Sequence, residues 1–228
     1  MAEAFNLKNE RVVLAVTGAS GSIYAELLLR QLLQAKVRTY LVATDTARKV
    51  ISTELGEQSL IGTVLNCGLQ MRLESDAQVV KVARQCDLDI AELQELRVFS
   101  NDDFYAPIAS GSEGATHMVV APCSMGTLAR MAHGMSTCLI ERCADVMLKE
   151  RRSLVICPRE TPLSAIHLQN MLTLVHAGAA LVPAMPAYYN RPETVEQVAQ
   201  FVVERLIDQL RLETIRDFKT VRWNIRRL

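Results

Sequence analysis

The chain has 228 residues, half of them hydrophobic and only 5% aromatic, a composition that suits one α/β domain with an aliphatic core. Lysine plus arginine equals aspartate plus glutamate at 25 each, so the basic field that non-specific nucleic-acid binding needs is missing. No apolar run approaches the roughly 18 residues of a membrane span, and no basic stretch followed by an apolar one opens the chain, so the expectation is a cytoplasmic protein without signal peptide or membrane span.

The spacing predicts a polar arm over residues 1–10, a single domain over 11–212 and a tail over 213–228. Residues 11–16 read as a buried first strand. They run into the small-residue turn Thr17 to Ser22 and a helix with apolar positions at 23, 27, 28 and 32. Free amides and the helix dipole would make that turn a phosphate cradle. Gly18 and Gly21 do not complete Gly-x-Gly-x-x-Gly, so a mononucleotide is expected rather than a dinucleotide. The alternative is a tight turn with Ser20 or Ser22 as N-cap. Residues 37–43 read as the second strand, and Thr44 caps a helix over 45–55, at the same sheet edge as Ser20. Glu54, near that helix's end, reads as a surface residue.

Residues 56–95 carry weak signals, among them a helix capped by Asp76 that runs through Cys86 and a short helix over 90–96. A short strand follows at 97–99. Asp102 and Asp103 lack the Asp-Asp-x-x-Asp spacing of magnesium-binding prenyl-diphosphate enzymes and read as turn residues. Phe104 and Tyr105 either wall a pocket or plug the core. Residues 117–121 form a central strand that ends in a second small-residue turn, where Ser124, Gly126 and Thr127 offer hydroxyls and amides. A helix is expected over 136–152, with Arg142 and Lys149 on one face, suited to an anionic substrate or a partner subunit's acids.

Residues 154–163 are an apolar, β-branched run closed by Arg159-Glu160-Thr161-Pro162. Such a run reads as a buried parallel strand whose polar end lies where open α/β sheets bind ligands. Arg159 and Glu160 there either hold a phosphate beside an acid or base, or form an exposed ion pair. Then come a helix over 163–175, a strand over 180–182, a Pro-rich loop over 183–192 and an amphipathic helix over 193–210. That last helix is expected to turn Val195, Val198, Phe201, Val202, Leu206 and Leu210 inward; Arg205 either snorkels or belongs to a site. Trp223 in the tail reads as a residue that docks on a neighbour. The six cysteines, Cys67, Cys86, Cys123, Cys138, Cys143 and Cys157, are irregularly spaced and read as packed thiols. The histidines are scattered, and no metal site is expected.

Six stretches in one order resemble the UbiX-type flavin prenyltransferases: Thr-Gly-Ala-Ser-Gly-Ser-Ile-Tyr at 17–24, Ala-Ser-Gly-Ser at 109–112, Pro-Cys-Ser-Met-Gly-Thr-Leu at 122–128, Glu-Arg-Cys-Ala-Asp-Val-Met-Leu-Lys-Glu-Arg-Arg at 141–152, Pro-Arg-Glu-Thr-Pro-Leu at 158–163 and Pro-Ala-Tyr-Tyr-Asn-Arg-Pro at 186–192. The resemblance covers residues 11–225. It implies a doubly wound, mostly parallel, flavodoxin-like three-layer α/β sandwich and a homododecamer. It implies transfer of a dimethylallyl group from dimethylallyl monophosphate to N5 and C6 of reduced FMN, and a UbiD-type decarboxylase that receives the product.

Carried over by position, Gly18, Ala19, Ser20, Thr44, Ser124, Met125, Gly126, Thr127 and Arg159 fall where the family holds FMN. Tyr189 and Arg205 match ligands of the substrate phosphate, joined by Arg142 and Lys149, from a neighbouring subunit. Glu160 matches an acid/base beside that phosphate, and Ser20 and Glu54 match polar groups near N5. No metal is implied, so cations of the protein must stabilise the leaving phosphate. A tryptophan commonly stands where this chain has Phe104, an aromatic wall that shields an allylic cation. The alternatives are a flavin-dependent cysteine decarboxylase and a non-catalytic flavin carrier.

Overall fold

The computed structural model describes residues 10–67, 77–112 and 114–215; the expected Asp76 cap, most of the N-terminal arm, and Trp223 lie outside these. Among the described residues, six strands form one all-parallel sheet: β1 (Arg11–Val16), β2 (Arg38–Ala43), β3 (Leu96–Phe99), β4 (His117–Cys123), β5 (Ser153–Pro158) and β6 (Ala180–Leu181). The order across the sheet is β3-β2-β1-β4-β5-β6. It reverses between β1 and β4, and the crevice for a ligand in such sheets opens at the carboxyl ends beside that reversal.

Alternation along β1 builds the three layers. Val12, Leu14 and Val16 face a core with Leu28 and Leu32 of α1 (Ser22–Gln34) and Val202 and Leu206 from near the chain's end. Val13 and Ala15 face the opposite core, with Leu128, Met131, Ile140 and Ala144. Burial on both faces is why the strands read as continuous apolar runs. The expected doubly wound three-layer α/β sandwich is the observed one.

The helix α2 (Asp45–Leu55) has the expected bounds, and Thr44 caps it by accepting from the Ala47 amide at 3.1 Å. Next come α3 (Leu60–Asn66), α4 (Ala77–Cys86) and α5 (Ile90–Leu93). Nothing in the sequence pointed to α3, because Leu60 to Leu65 are all buried and leave no polar face to set a period.

The span expected to be one helix from 136 differs. It is preceded by a separate α6 (Met125–Ala132), which starts inside the small-residue turn, and α7 (Leu139–Lys149) begins later than expected. Gly134, at φ 65°, lies between the two. After α8 (Ala165–His176) and β6, α9 (Val195–Leu210) buries Val202, Leu206 and Leu210 as expected. Val195, however, is 70% exposed, and Val198 and Phe201 are only partly covered; Ala199, Val203 and Ile207 are buried instead.

Candidate functional site

Four strand ends meet along the carboxyl edge. Thr17, after β1, is buried and donates its hydroxyl to Pro122 O at 3.0 Å, while the Ser124 amide donates to Thr17 Oγ1 at 2.7 Å. This ties the turn after β1 to the turn after β4. The Thr44 amide donates to Val16 O at 3.0 Å, which brings the turn after β2 alongside. Arg159, after β5, donates its amide to Cys123 O at 3.2 Å and its Nε to Ser20 O at 2.9 Å. Gly18 is required by close approach: a Cβ there would lie 2.4 Å from Thr46 Cγ2. Gly18, Ala19, Ser20, Thr44, Ser124, Met125, Gly126, Thr127 and Arg159 thus share one edge.

The cradle at α1 is not the open one expected. Gly21 stands at φ 108°, and its amide donates to Glu54 Oε2 at 3.0 Å; the Ser22 amide donates to the same oxygen at 2.8 Å. A carboxylate from α2 therefore completes the helix start, and neither Ser20 nor Ser22 is the N-cap. Burial pushes the Glu54 carboxyl up, but hydrogen bonds from the Ser20 hydroxyl and from Ser22 and Gly21 outweigh it and hold the group below its ordinary value. Glu54 and Ser20 are in direct contact, so Glu54, exposed as its spacing suggested, is bonded to the start of α1.

A second cluster forms on α9. The Arg205 guanidinium lies 5.6 Å from the Phe201 ring centre and pairs through Nη1 with Asp208 at 2.9 Å. Tyr189 meets the same ring edge-on at 6.0 Å. Among the described residues, Arg205 Nε is buried with no hydrogen-bond partner. Arg205 and Phe201 line a groove of 600 Å³ with Val175, Pro183 and Met185. Tyr24 lies near Arg159: burial pushes its phenol up, Cys157 and Tyr188 add to that, and Arg159 opposes.

Of the other expected residues, Lys149 stands apart from the carboxyl edge within one protomer. Arg142 donates Nε to Ala109 O at 3.1 Å and pairs with Asp145 at 2.9 Å. Lys149 pairs with Glu150, where α7 ends just before β5 begins. That end of α7 lies at the sheet's amino edge, roughly 20 Å, one strand length, from Arg159. Phe104, 46% exposed, lies on the loop after β3, which Asn101 and Ala109 anchor to α7. Tyr105 is 99% exposed and plugs no core. Asp102 and Asp103 are turn residues, bonded to Ser100 Oγ and the Tyr105 amide. Glu160 is exposed and accepts from the Thr161 amide at 3.0 Å, without pairing to Arg159. Cys123 is fully buried, which pushes its thiol up, and the Cys157 thiol is pushed up to about 12 by burial, so both are packed thiols. Among the described residues, no group of three or more His, Cys, Asp or Glu is placed to hold a metal ion.

Sequence reasoning missed Thr17 as the tie between two turns, and it missed Arg130 and Glu141. The latter two are 11 positions apart on different helices, and although Glu141 opens the fourth motif, their ion pair exists only once α6 and α7 are placed.

The Flavoprotein family model matches residues 2–207. A flavin prenyltransferase UbiX of Alkalihalophilus pseudofirmus is 44% identical over 202 residues, 89% of this chain and 92% of the relative. The chain belongs to the UbiX-type flavin prenyltransferases. Among solved structures of this family, AnUbiX in complex with FMN and dimethylallyl pyrophosphate is 38% identical, with a TM-score of 0.72 over 95% of this chain and 98% of the other. A dodecameric FMN-dependent UbiX-like decarboxylase of Escherichia coli is 36% identical, with a TM-score of 0.71 over 94% and 98%. The family relation accords with the edge described above, since its first, third and fifth motifs are the turns that Thr17, Ser124 and Arg159 join.

Proposed function

We propose that this protein joins a dimethylallyl group from dimethylallyl monophosphate to reduced FMN and releases prenylated FMN for a UbiD-type decarboxylase. The observation that carries the reading is the meeting of Ser20, Thr44, Ser124 and Arg159 along one edge, in a chain 38% identical to one solved with FMN and a dimethylallyl ester. The residues fit a flavin. Small side chains after β1 and β4 leave backbone within reach, and Ser124 starts α6 with amides that favour an electron-rich partner.

When bound, reduced FMN supplies nucleophilic N5 and C6. Gly18, Ala19, Thr44, Ser124 to Thr127 and Arg159 hold it. Tyr189 and Arg205 grip the phosphate of the prenyl donor, and the Nε of Arg205, unpartnered among the described residues, is a ready donor for it. Lys149 and Arg142 come from a neighbouring copy, because within one protomer Lys149 stands at the far edge of the sheet. These cations lower the cost of the departing anion in a site shielded from water, and Glu160 exchanges a proton with it. Ser20 and Glu54 move the proton near N5, and the Phe104 ring shields the allylic group. The copies assemble as a dodecamer, as the Escherichia coli relative does.

The test is an anaerobic mixture of protein, reduced FMN and dimethylallyl monophosphate, followed by the mass of the flavin. A gain of one five-carbon unit is expected. Unchanged flavin mass in folded, FMN-loaded protein overturns the reading and leaves a flavin carrier.

A further inference from the structure

The Thr127 hydroxyl sits at the end of a relay that the proposed reaction does not use. Arg130 Nη2 donates to Thr127 Oγ1 at 3.2 Å, and Ser124 Oγ donates to the same oxygen at 3.1 Å. A hydroxyl has two acceptor sites and one proton, so with both sites filled Thr127 acts outward only as a donor. Arg130 is itself held. Its Nε is ion-paired with Glu141, whose second oxygen accepts from the Thr137 amide at 2.8 Å and the Thr137 hydroxyl at 2.6 Å.

The Glu141 side chain is 1% exposed, against 42% for Arg130. Burial pushes the Glu141 carboxyl up, but the bonds from Thr137 and Arg130 outweigh it and hold it below its ordinary value, so it stays ionised. A buried carboxylate fixed to the start of α7 orients one arm of the guanidinium fork and so aims the others. Those arms lie against the first turn of α6: a Cβ on Gly126 would come within 3.5 Å of Arg130 Nη1.

We propose that Arg130, braced by Glu141 and Thr137, is the positioning residue of the flavin-binding turn Ser124 to Thr127. It fixes Thr127 as a donor and sets a positive charge at the start of α6. It also fastens that turn to the start of α7. The proposal rests on the flavin reading above.

The test is titration of flavin-free protein with FMN, followed by quenching of flavin fluorescence. Arg130→Met keeps the apolar stem and loses both donors; it weakens FMN binding about tenfold, the scale of a lost charge-assisted bond. Arg130→Lys keeps the charge without the fork and recovers only part of the loss. Glu141→Gln frees the guanidinium and weakens binding by a similar factor. The double variant Arg130→Met with Glu141→Gln is no weaker than the worse single one, because both cut the same linkage. At saturating FMN, the KM for dimethylallyl monophosphate stays within about twofold of native.

Native protein that fails to bind FMN overturns the flavin reading itself. Native-like FMN affinity in folded Arg130→Met, or fully additive losses in the double variant, overturns the positioning role alone. Should circular dichroism show Glu141→Gln unfolded, the two Arg130 variants, at a half-exposed position, decide the matter by the same affinities.

Discussion

At Glu54 one carboxylate both completes a helix start and stands in contact with Ser20 at the carboxyl edge of the sheet. Its folded pKa is depressed, so whatever stability it contributes is complete above the ordinary carboxylate range and is lost as pH falls through the depressed value. Glu54→Gln keeps an oxygen able to accept from Gly21 or Ser22. The fold and FMN affinity should therefore survive while prenyl transfer slows about a hundredfold, the scale of a lost general acid–base group. Single-turnover rates beside an FMN titration check this; an unchanged rate removes Glu54 from proton transfer. Spacing alone made Glu54 a surface acid, because its partners lie 32 and 33 positions away. Family resemblance marked the residue, but only the packing of α2 against the start of α1 displays its partners.

Elements were legible where their apolar period was clear and hidden where burial was complete on all sides. The bounds of α2 follow from its cap and its one buried face, whereas α3, though capped by Ser59, is buried along nearly its whole length; α6 has a Ser124 cap and one buried face but starts inside the small-residue turn, which hid it. The edge of β4 carries a pH effect of its own. His117 opens that strand and bonds to Thr116 Oγ1 at 2.8 Å. Burial holds the His117 pKa below its ordinary value of 6.5, with Glu10 opposing. The unfolded chain therefore takes up the proton first, so stability is full above that ordinary value and falls as pH drops toward the folded one. Melting temperatures measured across this range should decline on the acid side, and His117→Gln should flatten that part of the curve. A curve of unchanged shape in the variant would show that another group titrates there.

At the scale of the whole molecule, a protomer leaves exposed what an assembly would cover. Leu168, Leu172 and Val175 form an i, i+4, i+7 stripe on α8 that remains exposed, and Met185 lines a groove with Val175 at its end. A patch of this kind marks an interaction surface, and the proposed chemistry needs a second copy to bring Lys149 to Arg205. Leu172→Glu should reduce the assembly to smaller species in sedimentation velocity and, with the partner's Lys149 removed, reduce prenyl transfer by at least about tenfold. A variant of native size would show that copies meet elsewhere.

From residue order alone came the parallel α/β layering, the strand ends that carry polar turns, and the motifs that mark the family. All of these depend on short-range periodicity or on contiguous letters. The reversal of strand order between β1 and β4, the carboxylate that fills the α1 cradle, the Arg130–Glu141 brace and the separation of Lys149 from Arg159 emerged only in three dimensions. Each depends on contacts between distant segments, and such contacts are set by how helices pack on the sheet, which local patterning does not encode.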